Sequence, residues 1–329
     1  MENISCNLCG SNRANLLIIK HGYRILRCSV CELVYINPRP NPSELNEIYS
    51  SCERPLQGAN APEQRANIKK FNEAIKLLES NMPTPGYLLD VGCSTGIFLQ
   101  LAKAKGWRVA GIDVGETVVK YAQQQGLEVT CGELYHGLYP PETFDAVTLF
   151  DSIEHMVSPR QTLELVWEIT KPGGFLLVTT PNINGFVART TYLLFGKTIG
   201  AWEHPTPPFH LYQFSDRTLS RMLNITGWKV VEIKKRPIPF KYTAGKLENA
   251  LVEAIKNENN SNSSSVVRYS NHVSSEKLQL HTQRSLKLKH LARLSIRGFS
   301  YTFLGLLFSF AMLTQSFDSL MVLAQKDNS

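Results

Sequence analysis

Two groups of residues in this chain have the types and spacing to do chemistry. The first is four cysteines, Cys6 and Cys9 in CNLCG, Cys28 and Cys31 in CSVCE. Each pair is a C-x2-C, and eighteen residues separate the pairs. A knuckle of this kind points two thiolates at one place, and two knuckles complete the tetrahedron that zinc takes. Four cysteine ligands leave no coordination position open. The expected role is therefore structural, with zinc stabilising a segment too short for its own core. The bland alternative, four thiols that bind nothing, needs two correctly spaced pairs to arise by chance. A redox role lacks a thioredoxin-like context.

The second group is LLDVGCSTGIFL at 88–99. Residues 88–91 read as a short buried strand, and a helix begins at Ile97. Between them Gly92, Ser94 and Gly96 are small where the chain turns and where a ligand comes close to backbone. Strand, small loop and helix form the nucleotide-binding unit of a doubly wound sheet. Alone, such a loop is often no more than a tight turn. Asp90 sharpens it, because a carboxylate there repels a pyrophosphate over the helix N-terminus and suits a ligand with a cationic end. Asp113, in WRVAGIDVGE, falls at the end of the next strand, about 20 residues on, where an acid accepts both ribose hydroxyls. A nucleoside at one end and a cation at the other describes S-adenosylmethionine. Asp90, with the missing GxGxxG, argues against a nicotinamide oxidoreductase.

In order, LLDVGCSTGIFL, VAGIDVGE, CGEL, FDAVTLFDSIEHM and KPGGFLLVTTPN resemble the class I S-adenosylmethionine-dependent methyltransferases over roughly residues 86–236. The resemblance implies that the loop carrying Asp90, Gly92, Cys93, Ser94 and Gly96 wraps the methionine part, Asp90 acting mainly through the loop and water. It implies that Asp113, with Val114 beside it, holds the ribose. It places Glu133 and Leu134 near the adenine, although Glu133 reads equally well as a solvated loop acid. Phe150 and Asp151 would close the site. Ser94 stands where many members have glycine and is small enough to serve. The cysteine-paired N-terminus ending in LVYINPRP, with DSIEH, TPN and HLYQFS, is similar to zinc-ribbon methyltransferases of bacterial polysaccharide, sugar and natural-product pathways. The core is also similar to ubiquinone-pathway O-methyltransferases, which share the acid-x-x-Glu-His step.

Methyl transfer asks the protein to position a nucleophile and remove its proton. His155 follows Glu154 at the C-terminal edge of a strand, and His210 lies in EHPTPPFHLYQFS, downstream of the next strand. Either can serve as the base, since histidine titrates near neutrality, and either can equally be a structural histidine bonded to backbone. Asp151, Glu154 and His155 have a spacing that permits a divalent ion without indicating one. His204, Tyr192 and Tyr212 are further lining candidates.

The elements that must position these groups follow from periodicity. Strands are expected at 87–91, 107–112, 127–130, 144–150, 174–180 and 228–235, with a last strand in DSLMVLAQK. Helices are expected near 96–105, 115–125, 159–170 and 215–226, and RANIKKFNEAIKLLES adds another. The expected fold is α/β: a Rossmann-like doubly wound sheet, mostly parallel with an antiparallel last strand, preceded by a small zinc ribbon. Its segments are the ribbon at 1–40, a helical linker or lid at 41–85, the S-adenosylmethionine-binding core at 86–236, and a variable C-terminal part at 237–329.

Net charge is +7 over 329 residues, but 266–297 holds seven Lys or Arg against one acid, so the rest is near neutral. That excludes a globally basic nucleic-acid coat and points to a local basic arm. The uncharged run at 298–317 is 20 residues long and includes six Ser, Thr or Gln. A membrane span there would put the sixth and last strands, neighbours in the resembling fold, on opposite sides of a bilayer. Two readings of 284–317 stay open: a helix packed on the core, or a basic amphipathic helix lying on an anionic membrane surface. MENISCNLCG has neither the basic nor the apolar region of a signal peptide, and paired cysteines suit a reducing compartment. The expected location is the cytoplasm, at the inner membrane face if the helix lies on lipid. The expected acceptor is a small or glycan-like molecule, lipid-linked in the second case, with no nucleic-acid partner. The rival from another class is a zinc-ribbon binding module with a degenerate nucleotide core. The intact Asp90, Gly92, Gly96 and Asp113 speak against degeneration.

Overall fold

A computed structural model describes residues 1–51, 61–199, 202, 204–238, 244–245, 247–249, 251–252, 298–307, 309–313 and 317–327. The basic segment 266–297 lies outside the described residues. The chain divides into two compact units, one of residues 1–184, 206–236 and 318–329, the other of 185–205 and 237–317.

The first unit opens on a hairpin, β1 (Ala14–Lys20) and β2 (Tyr23–Cys28). Its two-residue turn, His21–Gly22, has φ of 49° and 80°, the left-handed pair that matches the twist of the flanking strands. β3 (Val34–Ile36) pairs with β2, and β9 (Tyr212–Gln213) pairs with β3, giving a four-stranded sheet. The sequence pattern reveals none of these ribbon strands. β9 lies far downstream of β3 in the chain and meets it only through folding. Just ahead of β9, the Leu211 carbonyl accepts the Ile36 N–H at 3.0 Å.

The large sheet of the same unit contains β4 (Tyr87–Val91), β5 (Arg108–Asp113), β6 (Val129–Cys131), β7 (Phe144–Phe150), β8 (Thr170–Pro181), β10 (Trp228–Arg236) and β11 (Ser319–Lys326). Their order is β10-β11-β8-β7-β4-β5-β6. β4, β5, β6, β7 and β8 run parallel, and β11 is antiparallel to both β8 and β10. This is the Rossmann-like sheet with an antiparallel last strand that the sequence implies. The strands are short apolar runs because helices cover the sheet and bury them. Leu88, Leu89, Ala146, Val147, Leu177 and Leu323 are all fully buried. β8 starts four residues earlier than the apolar run suggests, because Thr170 already pairs with Phe144 across an irregularity.

The helices of this unit are α1 (Pro42–Ser51), α2 (Ala61–Asn81), α3 (Ile97–Lys103), α4 (Glu116–Gln124), α5 (Pro159–Ile169) and α8 (Asp216–Ile225). α2 packs Ala74, Ile75, Leu77 and Leu78 into the cluster that holds Leu88, Phe98 and Phe150. α8 is capped by Ser215, whose side chain accepts the Thr218 N–H while the Thr218 hydroxyl accepts the Ser215 N–H.

The second unit contains α6 (Phe186–Thr191), a π turn at Tyr192–Gly196 and the short α7 (Lys197–Ile199). Residues 298–307 and 309–313 are helical. Leu304 is buried with Val187, Ala244, Leu247 and Leu251, so one face of this helical stretch packs inside its own unit. Leu306, Phe310 and Leu313 lie on exposed positions. Among the described residues no helix is long and apolar enough to cross a membrane.

Candidate active site

Asp90 sits on β4, between β5 and β7, in register with Gly111 of β5 and Thr148 of β7. It is only 2% exposed and accepts a hydrogen bond from the Thr148 hydroxyl at 2.7 Å. Burial pushes its carboxyl up to about 7. The neighbouring Asp113 adds to this, while the Thr148 bond and the Lys70 charge pull the other way. The loop that follows needs left-handed backbone. Gly92 has φ of +83°, and a Cβ there would stand 2.8 Å from the Ser152 Cβ. Ser94 also lies in that region, at 49°.

Asp113 ends β5 and ties two loops together. One of its oxygens accepts the Ser94 N–H at 2.8 Å, and the other accepts the Gly115 N–H at 2.8 Å. A carboxylate has about four acceptor positions, so these bonds orient it without exhausting it. Because β4 to β7 are parallel, the residues after each strand line one edge. The loop of Gly92, Cys93, Ser94 and Gly96 follows β4, Val114 follows β5, Glu133 and Leu134 follow β6, and Asp151 follows Phe150 at the end of β7. Val114 and Glu133 are exposed, while Cys93 and Phe150 are buried.

Lys70 of α2 has no counterpart in the sequence reading. Its ammonium pairs with Asp151 at 2.5 Å, and Asp151 also accepts the Thr179 hydroxyl at 2.8 Å. Burial alone would raise the Asp151 carboxyl, but Lys70 and Thr179 reverse this and hold it below the usual carboxylate range. Phe71, beside Lys70, meets Phe98 of α3 and Phe150 at the end of β7 at ring-centroid distances of 5.5 and 4.9 Å, which fixes α2 against both.

The two histidines come together. Their rings are 4.7 Å apart, edge to face. His155 ends a single 3-10 turn, Ile153–His155, and its Nδ1 lies 2.8 Å from the Phe209 carbonyl. A carbonyl only accepts, so Nδ1 carries the hydrogen, and the neutral ring keeps its lone pair on Nε2. Glu154, between them and the sheet, is 1% exposed. Its Oε2 accepts the Thr180 hydroxyl at 2.8 Å, and its Oε1 is buried with no hydrogen-bond partner among the described residues. Burial pushes this carboxyl up to about 8, helped by the charge of Asp151. Glu154, His155 and His210 each offer a donor atom within 4.8 Å of the others, a spacing open to a shared proton or a divalent ion.

The four cysteines also converge, each Sγ within 4.8 Å of the others. Cys6 and Cys31 are 3.4 Å apart, Cys9 and Cys28 3.5 Å. Four sulfurs around zinc at about 2.3 Å stand about 3.8 Å from one another, so the donor set fits that ion. Cys28 is held down to about 7. Burial opposes this, but the backbone N–H groups of Cys31 and Val30 aim at its sulfur and outweigh it. Burial pushes Cys6 up to about 11 and Cys31 higher still.

Of the further lining candidates, Tyr212 needs correction. It is 1% exposed in the ribbon sheet, with its hydroxyl bonded to Arg39 and to the Val157 carbonyl, because β9 belongs to the ribbon. His204 and Tyr192 belong to the second unit, each beside Trp202.

The chain matches the family described as a methyltransferase domain over residues 63–233, more than half its length, and belongs to that family. A ubiquinone biosynthesis O-methyltransferase of Aliivibrio fischeri (strain MJ11) is 26% identical over 222 residues, covering 63% of this chain and 92% of that protein. The protein of the same name from Vibrio cholerae serotype O1 (strain M66-2) is 27% identical over 153 residues, 44% of this chain, and the chain spans 62% of its length. The crystal structure of a SAM-dependent methyltransferase from Archaeoglobus fulgidus aligns at a TM-score of 0.44 and 17% identity, covering 78% of this chain and 94% of that one.

Proposed function

We propose that this chain transfers a methyl group from S-adenosylmethionine to a small-molecule acceptor. The observation that carries this is the single sheet edge on which Asp90, the Gly92–Gly96 turn, Asp113 and Asp151 stand beside the His155–His210 pair, in a chain of the methyltransferase-domain family. Bound S-adenosylmethionine would supply a methyl group on a positive sulfur. Asp113, already oriented by Ser94 and Gly115, would hold the ribose. The left-handed turn brings backbone close to the methionine part, and Asp90, Asp113 and Asp151 favour a cationic ligand. Glu133 and Leu134 would flank the adenine, with Phe150 as apolar wall.

His155 is the base in this reading. Its Nδ1–H is committed to the Phe209 carbonyl, so Nε2 accepts the acceptor's proton. His210 packs edge-on and orients that ring or shares the proton. Burial raises the Glu154 carboxyl to about 8, and a positive charge on the imidazole beside it would favour its ionised form, which in turn would stabilise that charge. The relatives whose printed names are O-methyltransferases of ubiquinone biosynthesis favour a small hydroxylated acceptor over the glycan-like or lipid-linked one that the sequence alone also allows. We place one structural zinc on Cys6, Cys9, Cys28 and Cys31, and the enzyme in the reducing cytoplasm, where such thiols persist.

The test is calorimetric titration with S-adenosylmethionine, followed by a screen of hydroxylated aromatic acceptors for S-adenosylhomocysteine release. Binding with an Asp113-dependent affinity supports the cofactor assignment. A folded protein that shows no binding would overturn it and favour the binding-module reading.

A further inference from the structure

We propose that the cysteine ribbon is the brace of the His155–His210 pair, so that filling the four-cysteine site governs proton transfer and not cofactor affinity. It rests on the methyl-transfer reading for what the histidines do, and on the ribbon's own contacts for how they are held.

Three residues of the ribbon and its sheet grip the segment just after His155. Arg39 is 7% exposed, and its guanidinium pairs with Glu2 at 2.8 Å. The same guanidinium donates to the Val157 carbonyl and, at 2.9 Å, to the Tyr212 hydroxyl. The Tyr212 hydroxyl donates to that Val157 carbonyl too, at 3.2 Å. Asn7 lies inside the first cysteine pair. It donates to the Ser158 hydroxyl at 3.1 Å and accepts the Arg160 N–H at 2.9 Å. It thereby caps α5, whose own N-cap residue Ser158 makes no side-chain cap bond.

The other histidine is tied to the same sheet. Leu211, next to His210, gives its carbonyl to Ile36 of β3, and Tyr212 pairs with Tyr35. His155 in turn bonds the Phe209 carbonyl. Both stretches of chain that carry the histidines are thus fastened to the ribbon within a few residues of the rings. The cofactor loop and the strand before it take most of their bonds from Ile112, Asp113 and Thr148, and meet the His155 segment at Ser152, ahead of the turn, where the Ser152 hydroxyl donates to the Val91 carbonyl at 3.0 Å.

A segment of this size takes its shape largely from its metal. Loosening the knuckle moves Asn7 directly, and Arg39 through the β2–β3 pairing. A displacement of about 1 Å at a reacting group costs about 10²-fold in rate. Asn7, Arg39 and Tyr212 are therefore positioning residues.

The experiment uses the full chain labelled with 15N-histidine, comparing the zinc-loaded parent, Asn7→Ala, Arg39→Met, Arg39→Lys and the chelator-treated parent. Zinc content, S-adenosylmethionine affinity and the His155 ring-nitrogen signals are read for each, with kcat and KM where an acceptor is in hand. Asn7→Ala and Arg39→Met should keep their zinc and bind the cofactor within about twofold of the parent. Their kcat should fall at least about tenfold at unchanged KM for the cofactor. The His155 signals should pass from one Nδ1–H tautomer to a mixture, and Arg39→Lys, which keeps the charge and one donor, should recover part of the loss. Chelation should produce the same spectral change. Unchanged His155 signals in zinc-replete Asn7→Ala and Arg39→Met would overturn the brace, whatever their stability. If stripping zinc unfolds the chain, those two variants decide alone. The spectra need no acceptor, so a failure of the methyl-transfer reading would show separately, as absent turnover or absent cofactor binding.

Discussion

Asp90 makes cofactor affinity depend on pH in a direction that can be worked out. The perturbation is a change from pH 6 to pH 8. Burial holds the folded carboxyl at about 7, against an ordinary value of about 3.9. Asp113, Lys70, Thr148 and the Cys93 thiol are the groups that face it. A cationic ligand favours the ionised form. If only that form binds well, the competent fraction rises from about 0.1 at pH 6 to about 0.9 at pH 8, close to tenfold or about 1.4 kcal/mol. Binding should release about 0.9 proton at pH 6 and about 0.1 at pH 8. The assay is calorimetry in two buffers of different ionisation enthalpy. The cofactor's own α-amino group, with an ordinary value of about 7.7–8.0, loses charge in the upper part of this window and works in the opposite sense, so a rise belongs to the protein. Glu154→Gln removes the other raised carboxyl and should leave the slope in place. The ligand-free protein runs the other way. A carboxyl whose folded value is raised loses its stabilising contribution as pH climbs from its unfolded value towards 7, so Asp90 itself contributes less to the stability of the free protein near pH 8 than near pH 5. Affinity that is flat or falls between pH 6 and 8, with no proton released at pH 6, would refute the placement of Asp90 at the cationic end.

Asp113→Asn leaves one acceptor oxygen where Ser94 and Gly115 now use two, and should weaken S-adenosylmethionine at least about tenfold by titration calorimetry. Gly96→Ala meets both a φ of +77° and a Cβ position 2.3 Å from Leu127 Cδ1, so urea unfolding should show a loss of about 1–3 kcal/mol. His155→Ala should lower kcat about 10²-fold with cofactor affinity intact, and His210→Ala should do so to a similar or smaller degree. Elemental analysis should find one zinc per chain, and Cys28→Ser, which removes the sulfur that the Val30 N–H aims at, should release it.

The sheet was legible because its strands are apolar runs bounded by turn residues, and because those at 87–91, 107–112, 144–150 and 174–180 are each followed by a helical period. The 87–91 and 144–150 strands appear in the structure at those limits. The ribbon strands were not legible. Ala14–Lys20 is exposed on several positions and carries no clean alternation, so its pairing is decided by the knuckles and the His21–Gly22 turn. β9 was beyond any local reading, since two residues make no period, and its partner lies far away in sequence.

At the site, the residues found from sequence are those whose role is carried by local pattern. Asp90, Gly92 and Gly96 share one loop, and Asp113 ends the next strand. The histidines were found singly, but nothing in the sequence brought their rings to 4.7 Å, because that contact depends on the Phe209 carbonyl, some 54 residues from His155. Lys70 and Arg39 were missed for a related physical reason. Lysine on a helix and arginine after a proline are ordinary surface residues until folding covers most of the one and buries the other, and burial is a property of the whole packing. Once buried, each must find partners, since an unpaired buried charge is costly. Lys70 finds Asp151, and Arg39 finds Glu2, Val157 and Tyr212. The acids on the sheet edge could be read as a demand for positive charge. That the free protein meets part of this demand with its own lysine, and part by a burial that raises the Asp90 and Glu154 carboxyls, depends on the folded packing.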